Sequence, residues 1–163
     1  MIDKLETSTY LRTMGRRLGS ALIGSFLGVF LLLALSAPVL AGVVREGNAG
    51  QEGCALALQN LPVKGKITLV DCWSPYCPPC VRLAPFLEKL AQKRRDLAVI
   101  KLNINRPEVQ AGIDWQSPLA RQLGLHSIPH FLIFDPEGRL TAQGAEARQQ
   151  VLDWLREAGL LKQ

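Results

Sequence analysis

The sequence predicts an α/β domain with a central mixed β-sheet flanked by helices, preceded by one N-terminal transmembrane or signal helix. Three observations carry this prediction. A basic N-terminus is followed by 27 uncharged residues, 18–44. Beyond them, short β-rich runs alternate with segments of helical spacing. These runs follow in the order β-α-β-α-β-β-α, and 119 residues suffice for a domain of that kind.

Residues 1–17 hold Lys4, Arg12, Arg16 and Arg17 against Asp3 and Glu6, a net charge of +2, and read as a cytoplasmic n-region. The run 18–44 is long enough, as a helix, to span the hydrocarbon core of a bilayer, and Ala21–Leu35 is its densest apolar part. Arginines on the near side keep the N-terminus in the cytoplasm, so everything after Val44 is translocated. Two readings stay open. An uncleaved signal anchor, which the long n-region favours, gives a single-pass protein of the plasma (inner) membrane with its domain on the extracytoplasmic, periplasmic side. A cleaved signal peptide, ending near Leu35-Ser36-Ala37 or Val39-Leu40-Ala41 with Pro38 breaking the helix, gives a soluble periplasmic protein. Residues 45–65 read as a linker and leading segment, Gly-rich and poorly patterned, with one or two helical turns over Ala55–Asn60. The folded domain is expected over 66–163.

Within that domain, Lys66–Trp73 (KITLVDCW) is the first strand. Cys80–Arg94 places Leu83, Phe86, Leu87, Leu90 and Ala91 on one helical stripe. Leu97–Ile104 is a second strand. Ser117-Pro118 opens a short helix, Ser as N-cap and Pro at the first position, that stops at Gly124. His130–Phe134 is a third strand, and Asp135-Pro136-Glu137-Gly138 a tight turn. Arg139–Gln143 pairs as the returning strand. Glu146–Ala158 is a closing amphipathic helix bearing Val151, Leu152, Trp154 and Leu155, ended by Gly159.

The composition narrows the function classes. With 48% hydrophobic and 20% charged residues, the chain is not of disordered type. Four cysteines in 163 residues are too few for a disulfide-stapled mini-protein. The net charge of +5 raises nucleic acid as a partner, but residues 45–163 contribute only +3, spread over fifteen basic and twelve acidic side chains. The densest basic run, Lys93-Arg94-Arg95, falls at a helix end where it complements the macrodipole. No nucleic-acid face is expected.

The chemistry is expected at Cys77-Pro78-Pro79-Cys80. A C-x-x-C pair that directly follows a strand and opens a helix is a redox motif with a mechanism. The helix N-terminus presents free N–H groups and a positive partial charge, which favour thiolate over thiol at the first cysteine. Cys77 is therefore expected as an exposed nucleophile. Cys80, about one turn deeper, attacks the mixed disulfide and resolves it. The bland alternative is half a zinc site, for which Cys54, Cys72, His126 and His130 supply no second closely spaced pair. No metal is expected.

At this point residues 66–158 resemble the thioredoxin family. VDCWSPYCPPC is similar to the family's active-site signature. Asp71 matches the family's buried acid and Trp73 the tryptophan packed under the site. Pro85 matches the proline of the active-site helix, and Lys101 the lysine facing the acid. Ser127-Ile128-Pro129 matches the cis-proline loop. The resemblance implies the thioredoxin fold, and a catalytic role for Asp71 as the base that takes a proton from Cys80. The alternative for Asp71 is a structural acid paired with Lys101. The resemblance also implies a substrate-binding edge of Ile128, Pro129, Trp73 and Tyr76, with Lys101, Pro78 and Pro79 in support. The cysteine pair carries the electrons, so no cofactor is implied.

Several residues depart from the family pattern. Pro78 stands in place of a glycine and removes one N–H donor to the Cys77 sulfur. That favours the disulfide and moves the couple toward a reductant. Tyr76 replaces a frequent tryptophan, and Pro75 precedes it. Arg106–Gln116 lengthens the connection after the second strand, with Trp115 read as core. Cys72 reads as a buried, inert thiol on the opposite face from Asp71 and Trp73; a Cys54–Cys72 disulfide is the alternative in an oxidising compartment. His130 either tunes Cys77 or packs in its strand, and His126 lies exposed on the same rim.

The expected function is thiol–disulfide exchange outside the cytoplasm, reducing protein disulfides. The expected partners are protein thiol and disulfide substrates, a membrane thiol-electron donor, and the membrane itself through residues 18–44. The alternatives are a disulfide-donating oxidase, a copper metallochaperone and a non-enzymatic binding module on the same fold.

Overall fold

A computed structural model of the chain describes residues 42–162. The n-region and most of the uncharged run lie outside the described residues, so the anchor and cleavage readings are not addressed by it. Among the described residues no helix is long and apolar enough to cross a membrane.

The elements follow as β1 (Val43–Glu46), a 3-10 turn (Leu58–Asn60), β2 (Ile67–Trp73), α1 (Pro78–Lys93), β3 (Leu97–Asn103), α2 (Pro118–Gln122), β4 (His130–Phe134), β5 (Leu140–Gln143) and α3 (Gly144–Glu157). The five strands make one sheet in the order β1-β3-β2-β4-β5. β1, β3 and β2 run parallel, while β4 is antiparallel to β2 and β5 to β4. The sheet is mixed, as expected.

The alternation of β2 sorts its side chains onto two faces. Leu69 joins Leu97, Val99, Phe131 and Ile133 under α1 and α3, which contribute Leu87, Leu90, Ala91, Val151 and Leu155. Val70 and Cys72 join Ile100, Leu102 and Leu132 on the other face, covered by Leu119 and Ala120 of α2 and by Leu125. Helices therefore cover both faces. Trp115, in the lengthened connection, packs against this second cluster. That connection is held by Arg106, whose Nε donates to the buried Asp114 carboxylate at 2.7 Å.

Local signals explain the boundaries. Ser117 caps α2 by accepting from the Ala120 amide at 3.0 Å. Gly138, at φ 85°, closes the β4–β5 turn with its amide on the Asp135 carbonyl. α1 starts at Pro78 rather than Cys80, because prolines fit the first turn, where N–H groups have no partner. α3 starts at Gly144, two residues before the acidic residue read as its opening, because β5 runs straight into it.

The main correction concerns the leading segment. Val43 and Val44, read as the end of the apolar run, and Arg45 and Glu46, read as linker, form β1 on the edge of β3. The segment after it is also tied down. The Asn48 side chain donates to the Asn103 carbonyl at 2.8 Å and accepts from the Asn103 amide at 3.1 Å. The Gly53 amide donates to the same carbonyl at 3.0 Å. The domain thus reaches back well before residue 66. Gly42 is part of the reason: a Cβ there would lie 2.0 Å from the Ala91 carbonyl oxygen, so only glycine lets the chain pass α1 into β1.

Candidate active site

β2 ends at Trp73, and a short connection delivers the chain to α1. Ser74 shapes it. Its buried hydroxyl accepts from the Tyr76 amide and its carbonyl from the Cys77 amide, both at 3.1 Å. Cys77 then caps α1, with its sulfur accepting from the Cys80 amide at 3.2 Å. Pro78 and Pro79 fill the first two helical positions. Neither has an N–H, so the Cys80 amide is the first donor in the helix. Pro85, inside α1, leaves the Val81 carbonyl without its usual amide.

Cys77 and Cys80 are joined, with S–S 2.05 Å. The expectation of an exposed Cys77 needs correction: in this oxidised form both cysteines are only 2% exposed. The Cys77 sulfur is bonded inward to Cys80, and the Ile128 carbonyl oxygen lies 3.7 Å from it. The Ile128–Pro129 peptide is cis. Tyr76, Pro78 and Pro79 are exposed around the pair, while Pro129 is buried and Ile128 half-buried.

Beneath the pair, three side chains stand in a lateral row. Registers pair Glu46 of β1 with Lys101 of β3, and Lys101 with Asp71 of β2. Asp71 shares its face with Leu69, the face that α1 covers, and Cys80 in the first turn of α1 is buried. Burial pushes the Asp71 carboxyl up to about 7; Lys101 pulls it down and Glu46 pushes it further up. Its Oδ1 has no protein partner. The alternative in which Asp71 is an acid paired with Lys101 is not what the structure holds. The Lys101 ammonium pairs with Glu46 at 3.2 Å and stands 4.5 Å from the centre of the Trp73 ring. The Trp73 indole N–H is buried without a protein partner.

Other singled-out residues fall outside this constellation. Cys72 is buried and free in the core on the far face, and burial pushes its thiol up. Cys54 is exposed and free. The alternative Cys54–Cys72 disulfide does not form, since one thiol faces the core and the other solvent. His130 pairs in register with Cys72 and makes no hydrogen bond to Cys77. It lines a cavity of about 310 Å³ with Ser127, Gly144 and Arg148. Desolvation, then Arg148, holds its pKa below the usual value. His126 is exposed. Among the described residues no three His, Cys, Asp or Glu side chains converge as a metal site.

Three residues of the site were not singled out in the sequence. Ser74 had a signal, since a serine two residues before a turn amide is a common turn former. Arg148 of α3 donates to the Pro129 carbonyl at 2.6 Å and holds the loop from outside. Glu46 completes the row. Neither of these two has a local signal, because each contact joins elements distant in sequence.

A family model described as thioredoxin matches residues 57–157. Thioredoxin AMT13 of Alternaria alternata is 31% identical over 94 residues, covering 57% of this chain and 70% of that protein. Thioredoxin 1 of Synechococcus elongatus is 37% identical over 79 residues, 47% of this chain and 65% of that one. Among solved structures, the short form of spinach chloroplast thioredoxin f superposes with a TM-score of 0.50 at 23% identity, over 74% of this chain and 97% of that one. That likeness speaks for the fold.

Proposed function

Given that the chain belongs to the thioredoxin family, we propose that it reduces protein disulfides outside the cytoplasm, held to the plasma membrane by residues 18–44 and fed with electrons by a membrane dithiol. Some of this needs no proposal. The protein is a thioredoxin-type thiol–disulfide oxidoreductase working through Cys77 and Cys80, and its family needs no cofactor. Thioredoxins act on protein disulfides and accept electrons from a reductase.

The proposed steps use the residues just described. In the reduced protein the Cys77 thiolate attacks a client disulfide. The client S–S bond breaks, a mixed disulfide forms at Cys77, and one client sulfur leaves as thiolate. Asp71 takes the proton of Cys80, whose thiolate attacks the Cys77 sulfur. The Cys77–Cys80 bond forms and the second client sulfur leaves. The client gains two electrons and the protein loses two. Ile128 offers its carbonyl beside Cys77 for strand pairing with the client, and Tyr76 and Trp73 border that edge.

One observation carries the direction of electron flow. With prolines at both first positions of α1, a single amide serves the Cys77 sulfur. A thiolate with few donors is poorly stabilised, which favours the disulfide and makes the dithiol a reductant. The reduction potential of the full chain, equilibrated in thiol redox buffers with Cys77→Ser as control, is expected near the reducing end of the thioredoxin-fold range, about −270 mV rather than about −120 mV. Pro78→Gly restores a donor and is expected to raise it. A potential near the oxidising end would make the protein a disulfide donor, the runner-up reading.

The location rests on the uncharged run and the arginines before it. Cys54 offers a probe, being exposed and free. In a Cys77→Ser, Cys80→Ser variant of the full chain, a membrane-impermeant maleimide is expected to label Cys54 in intact bacterial spheroplasts. Labelling only after lysis would put the domain in the cytoplasm.

A further inference from the structure

We propose that Glu46, on the edge strand β1, is a positioning residue for the thiol chemistry: it holds the Lys101 ammonium and so leaves buried Asp71 without a direct ion-pair partner. The use made of this carboxyl rests on the reading of Asp71 as the base for Cys80.

The register sets the geometry. Glu46, Lys101 and Asp71 are lateral neighbours on three parallel strands, spaced about 4.8 Å apart. Lys101 therefore lies between two carboxyls. It pairs with Glu46 at 3.2 Å, and no ion pair joins it to Asp71. Solvation explains the choice. The Glu46 side chain is 46% exposed, so pairing there leaves it in contact with water. Asp71 would have to ionise in a buried place to compete, and desolvation opposes that. The Trp73 ring, 4.5 Å from the Lys101 nitrogen, fixes the ammonium from a third side.

Nothing else on the surrounding elements supplies Asp71 with a cation. β4 presents Phe131 opposite it, and His130 beside Cys72. β2 offers Cys72 and Trp73, and α1 brings Cys77 and Cys80. On β1, Arg45 is directed to the Leu61 carbonyl. Lys101 is thus the one nearby positive charge among the described residues, and Glu46 determines where it goes. Were Lys101 to swing onto Asp71, the ionised carboxylate would be favoured and its hold on a proton from Cys80 would weaken.

Glu46→Gln keeps the shape and removes the charge. In the full-length chain, solubilised in mild detergent, a carboxyl-carbon NMR titration of Asp71 reads the effect directly. The midpoint is expected to fall by about one pH unit, the scale of a unit charge some 10 Å away at an effective dielectric near 20. Lys101→Met is expected to move it the other way. In the Lys101→Met background, Glu46→Gln is expected to have a clearly smaller effect, since it then has no ammonium to release. A midpoint unmoved by Glu46→Gln overturns the proposal. So does an equal shift with and without Lys101, which would make Glu46 a distant field and not a holder. The pH profile of mixed-disulfide resolution in the same variants tests the base separately. A moved midpoint with an unmoved profile supports the Glu46 assignment and removes Asp71 from the chemistry.

Discussion

Asp71→Asn is expected to stabilise the oxidised protein by up to about 4 kcal/mol at pH 9 and by little at pH 3. The sign follows from linkage. In the folded protein the carboxyl is pushed up to about 7, from 3.8 when free. Below about pH 4 both folded and unfolded chains carry the proton, and stability is at its full value. Between about 4 and 7 the unfolded chain ionises and the folded one does not, so stability falls as pH rises. Above 7 the loss is complete, and roughly three pH units of displacement correspond to about 4 kcal/mol. An amide at the same place does not titrate, so its curve lacks this fall. Denaturant unfolding of both proteins at the two pH values measures it. Equal stabilities at pH 9 would mean that ionised Asp71 finds a compensating partner. The same substitution is expected to slow resolution of the mixed disulfide at pH 7 by about 10²-fold, the lower range for loss of a general base. A residue that costs stability at working pH and speeds the reaction is a functional residue by physical criteria.

Cys80→Ser is expected to stop turnover, by more than about 10³-fold, and to leave the client attached. Cys77 can still attack, but no second thiol at 3-residue spacing returns to break the mixed disulfide. A covalent adduct should accumulate that thiols release, visible on non-reducing gels and placed at Cys77 by peptide mass. Cys77→Ser is expected to lose turnover equally and to form no adduct. The burial of Cys77 in the oxidised form makes this test informative. An adduct found on exposed Cys54 instead would show that attack does not begin at the helix cap, and the order of steps given above would be wrong.

Most of the catalytic chemistry was legible in the sequence because it is carried by local signals. A strand run, a C-x-x-C pair and a helical stripe stand within Ile67–Lys93, and the structure places them in that order, with α1 opening two residues earlier than read. The cis bond at Ile128–Pro129 is expected from the family resemblance of Ser127-Ile128-Pro129 and not from a local signal, although X-Pro is where such a bond is cheap. What was not legible depends on distant pairing. β1 is four residues long, too short for alternation to register, and its two valines continue the apolar run before it. Only the edge of β3 makes it a strand. The partner of Lys101 followed the same rule: the lysine was read against Asp71, and the structure gives it to Glu46, a residue on the strand that the sequence hid.

The two outer strands of the sheet have a consequence for how this protein meets other chains. β1 is four residues long and ends on Arg45 and Glu46. β5 is also four residues long, and its ladder with β4 slips register at Ile133–Phe134. Short, charged or broken rims are poor templates for another chain's backbone. A protein that acts on other chains runs a risk of pairing with them along its own open sheet edges. Here both rims discourage that, and the proposed docking of a client strand at the Ile128 carbonyl, 3.7 Å from the Cys77 sulfur, would fall away from either rim.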